Sequence, residues 1–140
     1  MTDNATLETD QTAVSVRVKI AGLWTSLLFV FAYVDIFALF RAETLNDALA
    51  GKVHIFDVTQ TFLFLTTLYV TIPSLLIFLS LVMAPKINRW VNIVAAVVYA
   101  ITIAGGMVGE TWIYYLFGSA VELVLLGVII WYAWQTRQDA

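Results

Sequence analysis

Cysteine is absent from this 140-residue chain, histidine occurs once and proline twice. Without thiols there are no disulfides, thiolate metal sites or cysteine nucleophiles. A lone histidine, His54, excludes a multi-histidine metal site within one chain. Charge is scarce as well. Asp, Glu, Lys and Arg make up 12% of the residues, against roughly 25% in a soluble domain. The net charge is -3 and no basic stripe exists, so a nucleic-acid partner is not expected. What the chain has in abundance is apolar side chains, 61% of the total, with a mean hydropathy of +0.90. Disorder requires the opposite composition. The chain reads as one integral membrane domain, with the lipid bilayer as its main partner.

Four apolar runs carry that reading: residues 20–40, broken by Asp35; 59–83, containing Pro73; 90–108; and 112–134, containing Glu122. Each is close to the ~20 helical residues that cross a hydrocarbon core. A β-barrel would need strands of roughly 10 residues with alternating polarity, and these runs are too long and too uniform. Helices also satisfy their own backbone polar groups, as lipid demands. The first run is longer than a signal-peptide core and lacks a small-residue cleavage site after it, so a retained helix is expected.

Short turns at Pro85–Asn88 and Gly105–Thr111 make neighbouring helices antiparallel. The expected fold is an all-α, up-down-up-down four-helix bundle filling residues 1–140. Basic residues set its orientation. Arg17, Lys19, Lys86, Arg89 and Arg137 fall on one side, and only Arg41 and Lys52 on the other. Both termini are therefore expected in the cytoplasm. Trp24, Trp90, Trp131 and Trp134 should sit at the cytoplasmic interface and Trp112 at the outer one. Residues 41–58 form the outer connection, read as an amphipathic segment with Thr44 as cap and Gly51 as stop. Asp57-Val58-Thr59-Gln60 resembles a capping box for the second helix. Thr111 is a plausible cap for the fourth. The acidic tail with Asp3, Glu8 and Asp10 is expected to be mobile.

Several stretches together form a pattern: Leu23-Trp24, Tyr33-Val34-Asp35, Thr59-Gln60-Thr61-Phe62, Ile72-Pro73-Ser74, Asn88-Arg89-Trp90, Tyr114-Tyr115 and Trp131-Tyr132-Ala133-Trp134. The Tyr-x-Asp of the first helix and the Asn-Arg-Trp turn before the third are its most specific parts. The chain resembles a family of small bacterial four-helix membrane proteins of unknown function, from about Lys19 to Trp134. The resemblance implies the fold and a bacterial source, and the inner membrane is the expected location. It implies no activity, substrate or cofactor.

The chemically informative residues are Asp35 and Glu122. A carboxylate inside a membrane helix costs roughly 2.5–3.5 kcal/mol on insertion scales, so it faces the bundle interior. No Lys or Arg lies within the four runs. Arg41, six residues beyond Asp35, is expected to snorkel outward. The acids then carry a proton, accept from hydroxyl donors, or meet a cation from outside. Donors lie at helical spacing: Phe62, Thr66, Tyr69 and Pro73 mark one face of the second helix; Asn92, Tyr99 and Thr102 one of the third; Tyr115, Ser119 and Glu122 one of the fourth. Asp35, Glu122, Tyr69, Tyr99, Tyr115 and Thr66 are the candidate ligand-binding or proton-handling set. The plainer alternative is that these groups only hold the bundle together, at ~0.6 kcal/mol for an average interhelical hydrogen bond. Pro73 leaves a carbonyl free or kinks its helix. No phosphate loop, haem histidine pair or dinucleotide fingerprint is present, and neither cofactor nor metal is expected.

Three functions fit. The first is binding or transport of a small cationic or proton-coupled ligand through the two carboxylates, with a homodimer completing a path. The second is an accessory subunit of a larger membrane complex. The third is a membrane enzyme using a carboxylate as acid or base.

Overall fold

In the computed structural model, which describes residues 13–136, local chemistry accounts for most helix boundaries. Arg137 and the acidic residues of the N-terminal tail lie outside the described residues. Helix α1 (Val16–Ala38) starts where Ser15 Oγ accepts the Val18 amide at 3.4 Å. A short helix α2 (Ala42–Leu49) follows, ending before Gly51, whose φ of 73° favours glycine. Strands β1 (Lys52–Val53) and β2 (Phe56–Asp57) form a small antiparallel hairpin, with Lys52 opposite Asp57. Helix α3 (Gln60–Val82) is capped by Thr59, whose hydroxyl accepts the Phe62 amide at 3.1 Å. Helix α4 (Pro85–Gly106) begins on Pro85, where a missing N–H leaves no helical bond unmade. Helix α5 (Ile113–Gln135) completes the chain.

Three expected caps are corrected. Arg41, not Thr44, precedes α2, and it makes no side-chain cap. Asp57 pairs in the hairpin, which leaves capping of α3 to Thr59 alone. Thr111 does not cap α5. The Glu110 carboxylate accepts the Thr111 and Trp112 amides instead, at 2.8 and 3.0 Å. An ionised carboxylate outcompetes a hydroxyl for amides at a helix start, where the dipole favours negative charge.

The four long helices are long and apolar enough to cross a membrane. Most of their large apolar side chains point outward, including Phe29, Phe64, Phe78, Ile101 and Phe117. A water-soluble bundle would bury that surface; a multi-pass membrane protein presents it to lipid. α1 packs against α3 and α5, and α5 packs against α4. Gly118 permits the α1–α5 approach, since a Cβ there would overlap Val34 Cγ2. α3 and α4 touch far less, although only Met83 and Ala84 join them.

The ends are tied by cations. Arg17 at the start of α1 donates to the Leu81 carbonyl at 3.2 Å, and Lys19 lies over the Tyr132 ring at 5.2 Å. Arg89 lies over Trp134 at 4.3 Å. We call this the basic end, and the opposite one the hairpin end.

Toward the basic end, the core encloses a polar knot. Trp24 is fully buried, and its indole N–H donates to Asn92 Oδ1 at 2.6 Å. Ser80 donates to the same oxygen at 3.1 Å, and the Asn92 amide nitrogen donates to the Asn88 carbonyl and side chain. Trp24 is thus not an interfacial tryptophan: an amide acceptor inside the bundle satisfies its N–H, which removes the reason to stay near water.

Asn92→Leu strands two buried donors at about 1–3 kcal/mol each, whereas Ser80→Ala removes a donor, strands nothing and costs under ~1 kcal/mol. Thermal unfolding in detergent followed by tryptophan fluorescence should show a clearly lower midpoint for Asn92→Leu than for Ser80→Ala. Equal midpoints would contradict the knot.

Candidate functional site

Toward the hairpin end the bundle core opens into a cavity of about 190 Å³. Every long helix contributes to its wall. α1 supplies Phe31, Val34 and Asp35 within about one turn; α3 supplies Tyr69; α4 supplies Thr102 and Ile103; α5 supplies Tyr115, Ser119 and Glu122 on one face. This volume accommodates several water molecules or a small ligand.

Glu122 is the deep acid. It lies nine residues past Ile113, or ~14 Å along the helix at 1.5 Å per residue. It is only 2% exposed, and its Oε1 has no hydrogen-bond partner. Asp35, three residues from the end of α1, is exposed and forms the cavity's lip. Among the described residues, no Lys, Arg or His lines the cavity. The remaining polar groups on the wall are hydroxyls. The polar side chains of the site thus offer oxygens alone, with two carboxylates at different depths beside Phe31, Val34 and Ile103.

Beyond Phe31, Tyr69 and Ile103 the character changes. These residues also line a void of about 10 Å³, closed by Leu27, Leu28, Val70, Pro73 and Tyr99, with no polar surface. It has barely the room for one water, and no partners for it. The polar space thus stops near mid-bundle, above the Trp24 core.

Pro73 explains how the wall is built. A proline has no N–H, so the carbonyl four residues earlier, that of Tyr69, loses its helical donor. The Tyr99 hydroxyl from α4 takes that place, donating to Tyr69 O at 2.5 Å. The two rings lie 4.6 Å apart. Thr102 Oγ1 donates to the Tyr99 carbonyl at 2.9 Å, and its 2.5 Å contact with the Tyr69 hydroxyl then has Tyr69 as donor, because a hydroxyl carries one proton. This chain of bonds bridges α3 and α4 where they otherwise diverge.

The structure thus brings Asp35, Glu122, Tyr69 and Tyr115 together. Tyr99 stands behind the wall as the partner of the Tyr69 backbone. Thr66 does not join them. It is exposed, bonds its own helix at the Phe62 carbonyl (2.9 Å), and lines another groove with Phe56, Asp57 and Thr59, which shares Tyr69 with the cavity. Three residues before Tyr69 on a 3.6-residue turn, it points away far enough to leave the cavity. Thr102 and Ser119 do line the cavity, at the helical spacing that places them beside Tyr99 and Glu122. Gly106 gives the Tyr115 hydroxyl its room, since a Cβ there would come within 3.0 Å of it.

Arg41 does not snorkel outward. It pairs with Glu110 Oε2 at 3.0 Å and lies over the Trp112 ring at 4.7 Å. The side chains are 15% and 11% exposed. Sixty-nine residues separate the pair, so no local pattern announces it. The Trp112 amide first, then Arg41 and the Thr111 amide, hold the Glu110 carboxyl below its ordinary value against the opposing effect of burial.

A family model described as "Family of unknown function (DUF6326)" matches residues 13–140, and the chain belongs to that family. No curated protein and no solved structure matches the chain.

The Pro73 account predicts a coupling. Tyr99→Phe should cost about 1–3 kcal/mol by leaving a buried carbonyl unpaired. In a Pro73→Ala background, where the restored backbone N–H can serve Tyr69 O, the same change should cost much less. A double-mutant cycle on thermal stability measures this, and additive effects would refute it. At the hairpin end, a lowered carboxyl means the Glu110 tie stabilises above the ordinary value of 4.5 and is lost as pH falls through the folded value. Hydrogen exchange over residues 111–116 should be faster in Glu110→Gln than in the native chain at neutral pH. That difference, corrected for intrinsic rates, should close in acid.

Proposed function

We propose that this member of the family binds or moves a small cationic or proton-coupled ligand through Glu122 and Asp35 in a bacterial inner membrane. Its helices run up-down-up-down with both termini in the cytoplasm. Arg17, Lys19, Lys86 and Arg89 support that orientation, since basic residues favour the cytoplasmic side. The contacts of Arg17 with the end of α3, and of Arg41 with the start of α5, support the alternation.

One observation carries the ligand reading: Glu122 is buried, its Oε1 is unpartnered, and the cavity it faces offers no basic side chain. An uncompensated buried charge costs several kcal/mol, so a carboxylate persists there only with a proton or a cation beside it. The cavity supplies the route for either. The plainer structural role expects the opposite, an acid whose oxygens are both used by neighbouring donors. Crossing the membrane requires more than this cavity, which ends at the Tyr69 level. Either the bundle rearranges or a second copy completes the path.

The accessory-subunit reading draws on a different feature, the open apolar groove of about 510 Å³ between α3 and α4, which a partner helix would fill. It predicts a stoichiometric protein partner retained in gentle detergent.

Infrared difference spectroscopy of the purified chain in nanodiscs tests the first reading. The carboxyl stretching band should respond to pH and to methylammonium, and Glu122→Gln should abolish most of that response. Asp35→Asn should weaken the methylammonium response by about tenfold in affinity or less, as befits a lip residue. A native spectrum indifferent to both pH and methylammonium would sink the proposal.

A further inference from the structure

Resting on the carboxylate reading above, we infer that the ligand is an amphiphilic ammonium. Its charged head meets Glu122 and Asp35, its hydrocarbon part lies in the groove between α3 and α4, and the Tyr69 side chain is the door between them.

The groove is about 510 Å³ in volume and its wall is almost wholly hydrocarbon. Ile72 contributes from α3, and Val91, Val94, Ala95 and Val98 from α4; no charged side chain lines it. It exists because α3 and α4 diverge immediately after a two-residue connection. At membrane depth such a space is filled by an apolar chain, because water finds no partners there. The side chains of Val94 and Val98 are exposed, so a chain can enter directly from the bilayer.

Tyr69 is what links this groove to the acids. Tyr69 lines both the groove and the carboxylate cavity. The backbone at Tyr69 is pinned by the Tyr99 hydroxyl, whereas the side-chain tip is held by one hydroxyl contact, to Thr102. The ring also packs against Tyr99 and Phe31, so the proposed opening releases the Thr102 contact and turns the ring past them while α3 stays in place.

Charge complementarity then selects the occupant. Two carboxylates and a set of hydroxyls favour a cationic head, and the hydrocarbon groove favours an apolar body. A hydrated metal ion would leave the groove unused. A phospholipid would bring phosphate toward Asp35 and Glu122 and be repelled.

The test uses the full chain in nanodiscs of zwitterionic lipid, with methylammonium and octylammonium as probes and the carboxyl infrared band as readout. Octylammonium concentrations are taken as those in the bilayer. Val94→Trp fills the groove, and Val98→Phe fills it differently should the first variant fail to fold. In the native chain both amines should shift the band. Groove filling should weaken octylammonium by about tenfold or more and leave methylammonium unchanged, which also shows that the variant is folded. Glu122→Gln should weaken both. If groove filling leaves octylammonium binding intact, the groove assignment is overturned while the carboxylate site stands. If neither amine shifts the native band, the carboxylate reading itself fails, and this inference with it.

Discussion

The carbonyl that Pro73 leaves without a helical donor constrains much of this structure. A free carbonyl at membrane depth is expensive, and the chain answers it with a tyrosine from the next helix. That choice fixes the register of α3 against α4. It sets the Tyr69 and Tyr99 rings against each other, with Thr102 closing the chain of donors. The hairpin side of this bridge holds the polar cavity; the basic side holds the Asn92 knot and the apolar groove between α3 and α4. The bridge is the floor of the cavity and ties together two helices that otherwise splay.

The two halves of the bundle satisfy polar groups by opposite means. In the basic half, the Asn92 side chain is satisfied by Trp24, Ser80 and Asn88, while the Asn88 side-chain nitrogen is left without a partner among the described residues. In the hairpin half, Glu122 Oε1 has no hydrogen-bond partner among the described residues. A protein seeking only stability has a ready precedent for satisfying such an oxygen within its own sequence, namely the knot in the same bundle. The contrast between a neutral network around Asn92 and an ionisable acid without a hydrogen-bond donor is the physical content of the proposed ligand site. The same logic places the Arg41–Glu110 pair outside it: their charges are spent on each other and on the α5 amides, so they brace the rim without offering the cavity a counter-ion.

Much of this was legible in the chain as written. Four apolar runs of membrane length, with almost no charge inside them, leave helices as the only economical way to satisfy the backbone. Helical spacing placed Tyr115, Ser119 and Glu122 on one face, and Tyr99 and Thr102 on another. Pro73 declared that a carbonyl would be free. These are properties of one helix at a time, and periodicity determines them. Asp35 and Glu122 likewise announced themselves by cost, since an acid in such a run needs a reason.

Only the tertiary structure decided what those faces meet. Spacing cannot say that Tyr99 would answer the carbonyl freed by Pro73, because the donor comes from 30 residues away. It cannot say that Trp24 would turn inward to Asn92, 68 residues on, or that Arg41 would find Glu110. Thr66 shared a helical stripe with Tyr69 and still fell outside the cavity, because the packing of the helices determines which part of a stripe faces in. Sequence determines what each helix must hide; the packing of helices against one another determines where it is hidden, and which acid is left waiting for a partner.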